Sequence, residues 1–414
     1  MATLCKMPTN PYLHIFHICV HGFPVAALKI NSVTNASRIE YFSKDTPAFS
    51  PLVVNNGEPI LHNGFPPFLA PLLPSAARAM EIGKRLGFEP EDKLERIRHS
   101  LGTYNAGHIT VVPAVETLAS SRGGFPFDGL STTVPGPPVF TFSSFETLAN
   151  KEIHTTLITE IAKTSGATGI GGNFNKCFCR NTHDEFIIKS YPDTFTQATS
   201  TEVAAMEEAC SVAARAAGVP AAETFAYGPF VLSKRFDKGL RLHHARDFLN
   251  VKDQYDGSYE QVFKKTDFQN KEELLKQIIF SWTCGDSDKH LENMAFLEKD
   301  IGKYYLSPAY DICPSRFISG DAEELALTLN GRKARITLQD FVVLGKKASM
   351  SKTEVMASLK ASVEACKKHF LPVCPPAVAK VLSDHLEIAN VMSEGGERRE
   401  AEILCLQRGL EKQL

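Results

Sequence analysis

The stretch GDSDKHLENMAF, Gly285–Phe296, places three acids, a lysine, a histidine and an asparagine in a dozen residues, just where the chain turns apolar. Asp288 and Asn293 form D-x-x-x-x-N. The text continues MAFL, then the turn-like EKDIGK, then YYLS, which reads as a hairpin, and the segment AYDICPS beyond it carries Asp311. Three hard oxygen donors thus fall close together along the chain, the kind that divalent magnesium prefers. The competing explanation is a polar turn with solvated acids and a helix-capping aspartate, since Asp and Asn are common in loops. The hairpin and the following Asp311 weigh against that explanation.

The spacing matches the catalytic loop of protein kinases, where the aspartate takes the proton of the attacking hydroxyl and the asparagine and a later aspartate hold magnesium. Such a loop needs partners upstream, and the chain offers each in order. SGATGIGGNFNKCFCR supplies a degenerate glycine-rich turn with Gly169, Gly171, Gly172 and Lys176, and EFIIKS supplies a strand that reaches Lys189. Glycine backbone approaches phosphate closely, and a lysine ammonium adds point charge. TSTEVAAMEEACSVAARAAG, 199–218, opens on Ser/Thr caps and ends on Gly218, so it reads as a helix, with Glu207 and Glu208 at its middle. FVLSKRFDKG reads as a strand leading into an inter-lobe hinge. Each motif alone has a structural explanation: a flexible hairpin, a solvated strand end, an exposed helix face, an edge strand. Their order is what carries the argument.

A chain of 414 residues with 43% hydrophobic and 22% charged residues has ordinary globular composition and enough length for two or three domains. The net charge of -2 gives no reason for direct binding to nucleic acid or to an acidic membrane. Ten cysteines are scattered without a C-x-x-C pair. Cys177 and Cys179 would share one face of a strand, which favours a structural role over zinc. The N-terminus lacks a basic segment followed by a long apolar core, and no stretch is apolar enough to span a bilayer, so a cytoplasmic protein is expected. Residues 1–118 begin with strand-like runs, IFHICVHG and AALKI, and include the helix-like AARAMEIGKRLG and the strand GHITVVPAV. SSRGGFPFDGLSTTVPGPPVF has linker chemistry, placing a linker at 119–139. A strand-rich segment at 140–237 precedes a largely helical one at 238–414, whose late segments KTEVMASLKASVEACKKHF and AVAKVLSDHLEIANVM have helical spacing. The expected fold is therefore α+β and bilobal, with a β-rich N-terminal subdomain and a helical C-terminal lobe.

Taken together, the chain resembles the HipA-type serine/threonine kinases, the toxin components of bacterial toxin–antitoxin pairs. The resemblance rests on GDSDKHLEN, PAYDI, VLSKRFDKG with RLHHARDF, MEEACSVAARAAGVP and ELALTLNGRKARITLQDF, and more loosely on RIEYFSKD, FLAPLLPSAAR and YNAGHITVVP. It implies an ATP- and Mg²⁺-dependent protein kinase with a kinase-like fold. Asp288 matches the catalytic aspartate, His290 the loop histidine, Asn293 and Asp311 the metal ligands, and Lys189 the phosphate-binding lysine, with Glu207 among the nucleotide-site residues. Ser233, Lys234 and Phe236 match the hinge that lines the adenine, with Lys234 where a glutamate is usual. Asp286 is a supporting residue. The family's autophosphorylated serine is Gly169 here and its loop glutamine is Phe174, while Lys176 is retained. Self-phosphorylation at that position is therefore excluded, with Thr168, Thr164 or Ser165 as substitutes. The resemblance further implies a protein substrate in translation, such as an aminoacyl-tRNA synthetase, and a small helix-turn-helix antitoxin through which DNA contact would be indirect. The alternatives are a small-molecule phosphotransferase of aminoglycoside or choline kinase type and a catalytically silent pseudokinase.

Overall fold

In the computed structural model, residues 13–69, 109–113, 140–165 and 174–413 are described, apart from isolated positions and 396–399. The helix-like AARAMEIGKRLG (except Met80), the linker 119–139 and the glycine-rich turn, with Gly169, Gly171 and Gly172, lie outside the described residues. The chain forms two compact units, Met1–Val139 with Ala162–Asn173, and Phe140–Ile161 with Phe174–Leu414.

The first unit holds a five-stranded antiparallel sheet in the order β4-β3-β2-β1-β5. Its strands are β1 (Leu13–Val20), β2 (Phe23–Asn31), β3 (Ser37–Tyr41), β4 (Ile60–His62) and β5 (Ile109–Pro113). The expected strands in IFHICVHG, AALKI and GHITVVPAV are β1, β2 and β5. Alternation along β1 sends Phe16 and Ile18 to one face, where they meet Leu28, Ile30, Ile39 and Phe49 in an apolar core.

The second unit has two sheets. One has the order β6-β7-β8-β10-β9, antiparallel except for the β6–β7 pair. Its strands are β6 (Phe140–Thr141), β7 (Asn175–Arg180), β8 (Glu185–Ser190), β9 (Thr224–Tyr227) and β10 (Phe230–Lys234). The β7–β8 turn is closed by Asn181, whose side-chain oxygen accepts the N–H groups of His183 and Asp184. Cys177 and Cys179 both point into this sheet's apolar core with Phe186, Ile188 and Leu232. The sequence suggests strands directly after Phe140, whereas the structure places helix α1 (His154–Ser165) between β6 and β7. Its Leu157 and Ile161, four apart, cover that core.

Helix α2 (Ser200–Ala216) begins at a capping box in which Thr199 accepts the Glu202 N–H and the Glu202 carboxylate accepts the Thr199 N–H. It ends in a Schellman turn: the Gly218 N–H donates to the Arg215 carbonyl and the Val219 N–H to the Ala214 carbonyl. Gly218 takes φ +78°, which glycine adopts without the cost that a Cβ adds. The remaining part is mostly helical, as its spacing suggests, but contains a second sheet, β11-β13-β14-β12. This sheet comprises β11 (Arg241–His244), β12 (Phe268–Gln269), β13 (Ala295–Asp300) and β14 (Lys303–Leu306), so the expected hairpin after Asn293 is β13–β14. Around it lie α3 (Tyr259–Lys265), α4 (Lys271–Cys284), α5 (Leu338–Lys347), α6 (Lys352–Ala365), α7 (Pro376–Ser393) and α8 (Glu400–Glu411).

Helix α4 is the central post, with Leu274, Leu275, Ile278, Ile279, Phe280 and Trp282 all buried. It stops at Gly285, φ +78°, after which the Asp286 N–H turns back to the Ser281 carbonyl at 2.8 Å. A Cβ on Gly285 would run into the Phe317 ring, whereas one on Gly218 would meet nothing within 4 Å. Gly218→Ala therefore should lose only the left-handed backbone cost, about 1–2 kcal/mol. Gly285→Ala adds overpacking of about 1–3 kcal/mol. Urea unfolding followed by the fluorescence of the single tryptophan, Trp282, should show the larger loss for Gly285→Ala; equal losses would mean that Phe317 moves aside freely.

Candidate active site

The site is assembled around the ammonium of Lys189, which β8 carries into the second unit. Its side chain is 6% exposed and lies 2.6 Å from Glu207 Oε2 and 2.6 Å from Asp311 Oδ1. Glu207 is more buried still, its side chain 3% exposed, and also accepts the Tyr191 hydroxyl. Glu208 faces elsewhere and accepts the Ala226 N–H, which separates the two mid-helix glutamates of α2 by role. Lys176, on β7 directly opposite Lys189, reaches the other Asp311 oxygen at 3.1 Å. Burial raises a carboxyl, but Lys176 and Lys189 together hold Asp311 well below the ordinary carboxylate range. Burial likewise acts against the Lys189 ammonium and is overcome by Asp311 and Glu207, which raise it.

Asp311 sits at φ +55°, a left-handed conformation that aspartate visits more readily than most residues. Its position is set by the segment leading into it. The Ala309 N–H donates to the Pro220 carbonyl and the Ala222 N–H to the Ala309 carbonyl, both at 2.8 Å, forming a parallel bridge between Ala221 and Ala309. The stretch that leaves α2 is thereby stitched to the stretch that delivers Asp311.

The loop itself follows α4. Asp286 is buried; its Oδ2 accepts the Ser281 hydroxyl at 3.0 Å and its Oδ1 the Asp288 N–H at 3.1 Å. Asn293 closes the loop by donating Nδ2 to the Asp288 carbonyl at 2.9 Å, which leaves its amide oxygen as the remaining acceptor. Burial pushes the Asp288 carboxyl up to about 6, helped by the charge of Asp311 and opposed by a hydrogen bond from Tyr255, Lys176 and Lys189. His290 accepts the Glu292 N–H at Nδ1, 3.2 Å, so its proton is on Nε2, which lies 3.9 Å from Asp288 Oδ2. Burial lowers this imidazole to about 4, so it is neutral near pH 7. It acts here as a member of the loop's hydrogen bonding, without a hydrogen bond to the aspartate.

The hinge residues are divided. Ser233 and Lys234 are part of the β10 ladder, and the Lys234 ammonium turns to Asp184 at 3.1 Å and Glu223 at 3.5 Å. The N–H groups of Lys234 and Arg235 donate to the carbonyls of Glu223 and Glu185. Phe236 differs, because its ring lies 5.6 Å from that of Tyr310 and offers an aromatic surface. Arg235 and Asp237 form a two-pronged pair at 3.0 and 2.9 Å that holds the chain between β10 and β11. Phe174 packs edge-on against Tyr191 at 4.9 Å, beside the Lys189 ammonium. Sequence reasoning missed the contributions of Tyr191, Tyr255 and Tyr310; nothing local to them signals that they reach Glu207, Asp288 and the Glu292 carbonyl.

Magnesium would find hard oxygens at Asp311 and Asn293, with phosphate completing its shell. Among the described residues no group of three or more His, Cys, Asp or Glu side chains forms a metal cage. A site built from one carboxylate, one amide and substrate phosphates fits magnesium, which keeps few protein ligands.

An acidic helix that grips a strand lysine, and a following D-x-x-x-x-N loop and hairpin, define a kinase-like fold of mixed helix and strand. Residues 168–370 match the family model described as the HipA-like C-terminal domain. A HipA toxin solved with HipB and its operator DNA, from Shewanella oneidensis MR-1, superimposes with a TM-score of 0.58 at 12% identity, over 96% of this chain and 99% of that one. The protein Y4dM of Sinorhizobium fredii (strain NBRC 101917 / NGR234), whose name carries the word kinase, is 27% identical over 160 residues, 36% of this chain. The matched stretch spans only 39% of that relative's length. No helix among the described residues is long and apolar enough to cross a membrane.

Removing one member of a buried ion pair strands its partner's charge, at about 3–5 kcal/mol, whereas an apolar replacement of both members is often neutral. Lys189→Met should therefore destabilise the protein strongly in urea, and adding Glu207→Leu should recover part of the loss. A double variant as unstable as the sum of the two single variants would mean that the pair is not energetically coupled.

Proposed function

We propose that the chain is an ATP- and Mg²⁺-dependent serine/threonine protein kinase of HipA type. The observation that carries this reading is Lys189 buried between Glu207 and Asp311, with Asp288 and Asn293 in one loop of the same unit. ATP supplies the phosphoryl group, and magnesium offsets the charge of its phosphates. Asp311 and the Asn293 amide oxygen would hold the metal. Lys189 and Lys176 are the cations available to phosphate oxygens, and both now neutralise Asp311. Asp288 would receive the proton of the acceptor hydroxyl, and its carboxyl, pushed up to about 6, is still mostly ionised at pH 7. Phe236 and Tyr310 would pack against the adenine.

The HipA-like domain supports a toxin that phosphorylates a protein of the translation apparatus, such as an aminoacyl-tRNA synthetase. The Shewanella protein was solved with HipB and operator DNA, which supports a small helix-turn-helix antitoxin as partner here. With a net charge of -2, this chain would reach DNA through that partner rather than directly. Gly169 offers no hydroxyl, so any self-phosphorylation in this stretch would fall on Thr168 or on Thr164 or Ser165 at the end of α1.

Two measurements test the reading. Asp288→Asn should reduce transfer of labelled phosphate from Mg²⁺-ATP to lysate proteins by about a hundredfold or more, the scale of a general base, while ATP still binds. Transfer at the wild-type rate would exclude Asp288 as the base. Asp311→Ala should weaken ATP binding in calorimetry with Mg²⁺ far more than without it; equal losses would remove Asp311 from the metal site.

A further inference from the structure

A separate segment, Gln254–Glu260, lies along the catalytic loop and is pinned from two sides. On the loop side, the Leu291 N–H donates to the Gln254 carbonyl at 3.0 Å and the Tyr259 hydroxyl to the Lys289 carbonyl at 3.1 Å. On the other side, the Thr328 hydroxyl donates to the Gly257 carbonyl at 3.2 Å, the Tyr259 N–H to the Thr328 carbonyl at 3.1 Å, and the Asn330 N–H to Glu260 at 2.8 Å. Within the turn, Asp253 accepts the Tyr255 N–H at 2.9 Å, and Gly257 takes φ +118°. The backbone that carries Tyr255 is thus fixed to both the loop and the ALTLNG stretch. Its ring meets His290 edge-on at 5.0 Å, and its hydroxyl donates to Asp288 Oδ1 at 2.6 Å.

We propose that Tyr255 is a positioning residue for phosphoryl transfer: by holding Oδ1 it fixes the Asp288 carboxylate and leaves Oδ2 to receive the acceptor hydroxyl. The inference rests on Asp288 being the base. The terminal torsion of an aspartate is broad, so an untethered carboxylate turns readily, whereas a short hydrogen bond to a charged oxygen restrains it. Transfer depends on reacting atoms held within narrow limits, so a tether on the unused oxygen affects turnover rather than nucleotide binding. The rigid backbone mounting separates this role from that of a mobile gate. His290 packs edge-on against the ring, and its Nε2 lies 3.9 Å from Oδ2, beyond hydrogen-bond length.

Tyr255→Phe keeps the ring on His290 and deletes only the hydroxyl. With labelled Mg²⁺-ATP and casein plus lysate proteins as acceptors, kcat should fall about 10- to 100-fold, since a misplacement of about 1 Å at the reacting groups can cost about 100-fold. The KM and calorimetric Kd for ATP and the melting temperature should stay at wild-type values. A crystal structure of the variant should show the Asp288 carboxylate rotated, and 3-fluorotyrosine at position 255 should restore kcat. In an Asp288→Asn background, Tyr255→Phe should cause no further loss. A wild-type kcat for Tyr255→Phe beside an inactive Asp288→Asn overturns the positioning role and leaves the base assignment standing. An active Asp288→Asn overturns the base assignment itself. Parallel loss of ATP affinity and melting temperature in Tyr255→Phe would make Tyr255 merely structural, and would also overturn the proposal.

Discussion

The site depends on one buried cation. The Lys189 ammonium is nearly removed from water, and a charge in that position persists only if carboxylates replace its hydration. Glu207 and Asp311 do so from two different elements, one on α2 and one beyond the β13–β14 hairpin. The pairing fixes the rotation of α2 against the sheet, since Glu207 must face β8. It also brings the segment after the hairpin under the sheet. Lys176 adds a second cation to Asp311, so the carboxylate is satisfied on both oxygens. The geometry that favours folding therefore gathers two ammoniums and two carboxylates whose charges balance.

A second layer of interactions holds the loop rather than the lysine. Asp286 ties the loop back to α4 through Ser281, Asn293 closes it onto the Asp288 carbonyl, and Gly285 lets it leave the helix in a left-handed turn. Beneath it, Trp282 donates its indole N–H to Glu324 at 2.8 Å, and His385 pairs with the Trp282 carbonyl at 2.8 Å. Arg316 is fully buried beside Glu324 and His385. These groups belong to scaffold that no substrate would touch. They make the floor of the loop a polar network joined at several points, in which the buried Arg316 Nε has no hydrogen-bond partner among the described residues.

Much of this is legible in the sequence where the signal is local. The caps of α2, the lysine at the end of β8, the five-residue spacing of Asp288 and Asn293 and the hairpin after it are written in neighbouring residues. The sheet that includes β11 and β12 is not, because those strands are only four and two residues long and pair across long separations. Helix α1 also escapes, because FETLANKEIHTTLITE begins with 3₁₀ turns that blur the periodicity. Within the site, the partners missed are those whose chain separation is large. Tyr255 and Asp288 are 33 residues apart, and Lys176 and Asp311 are 135 apart. Such contacts come from packing, which one-dimensional patterns do not encode. The hinge lysine shows the opposite case: its place in the ladder could be read from sequence, but its pairing with Asp184 and Glu223 depended on the neighbouring turns.

The bridge between Ala221 and Ala309 has a mechanical consequence. It joins the exit of α2 to the segment that presents Asp311, two residues later. Glu207 and Asp311 are therefore linked through the exit of α2, and Glu208, which accepts the Ala226 N–H, ties the same helix to the sheet that carries Lys189. Helix, aspartate and strand lysine thus close a ring of contacts, in which none of the three can shift without straining the other two.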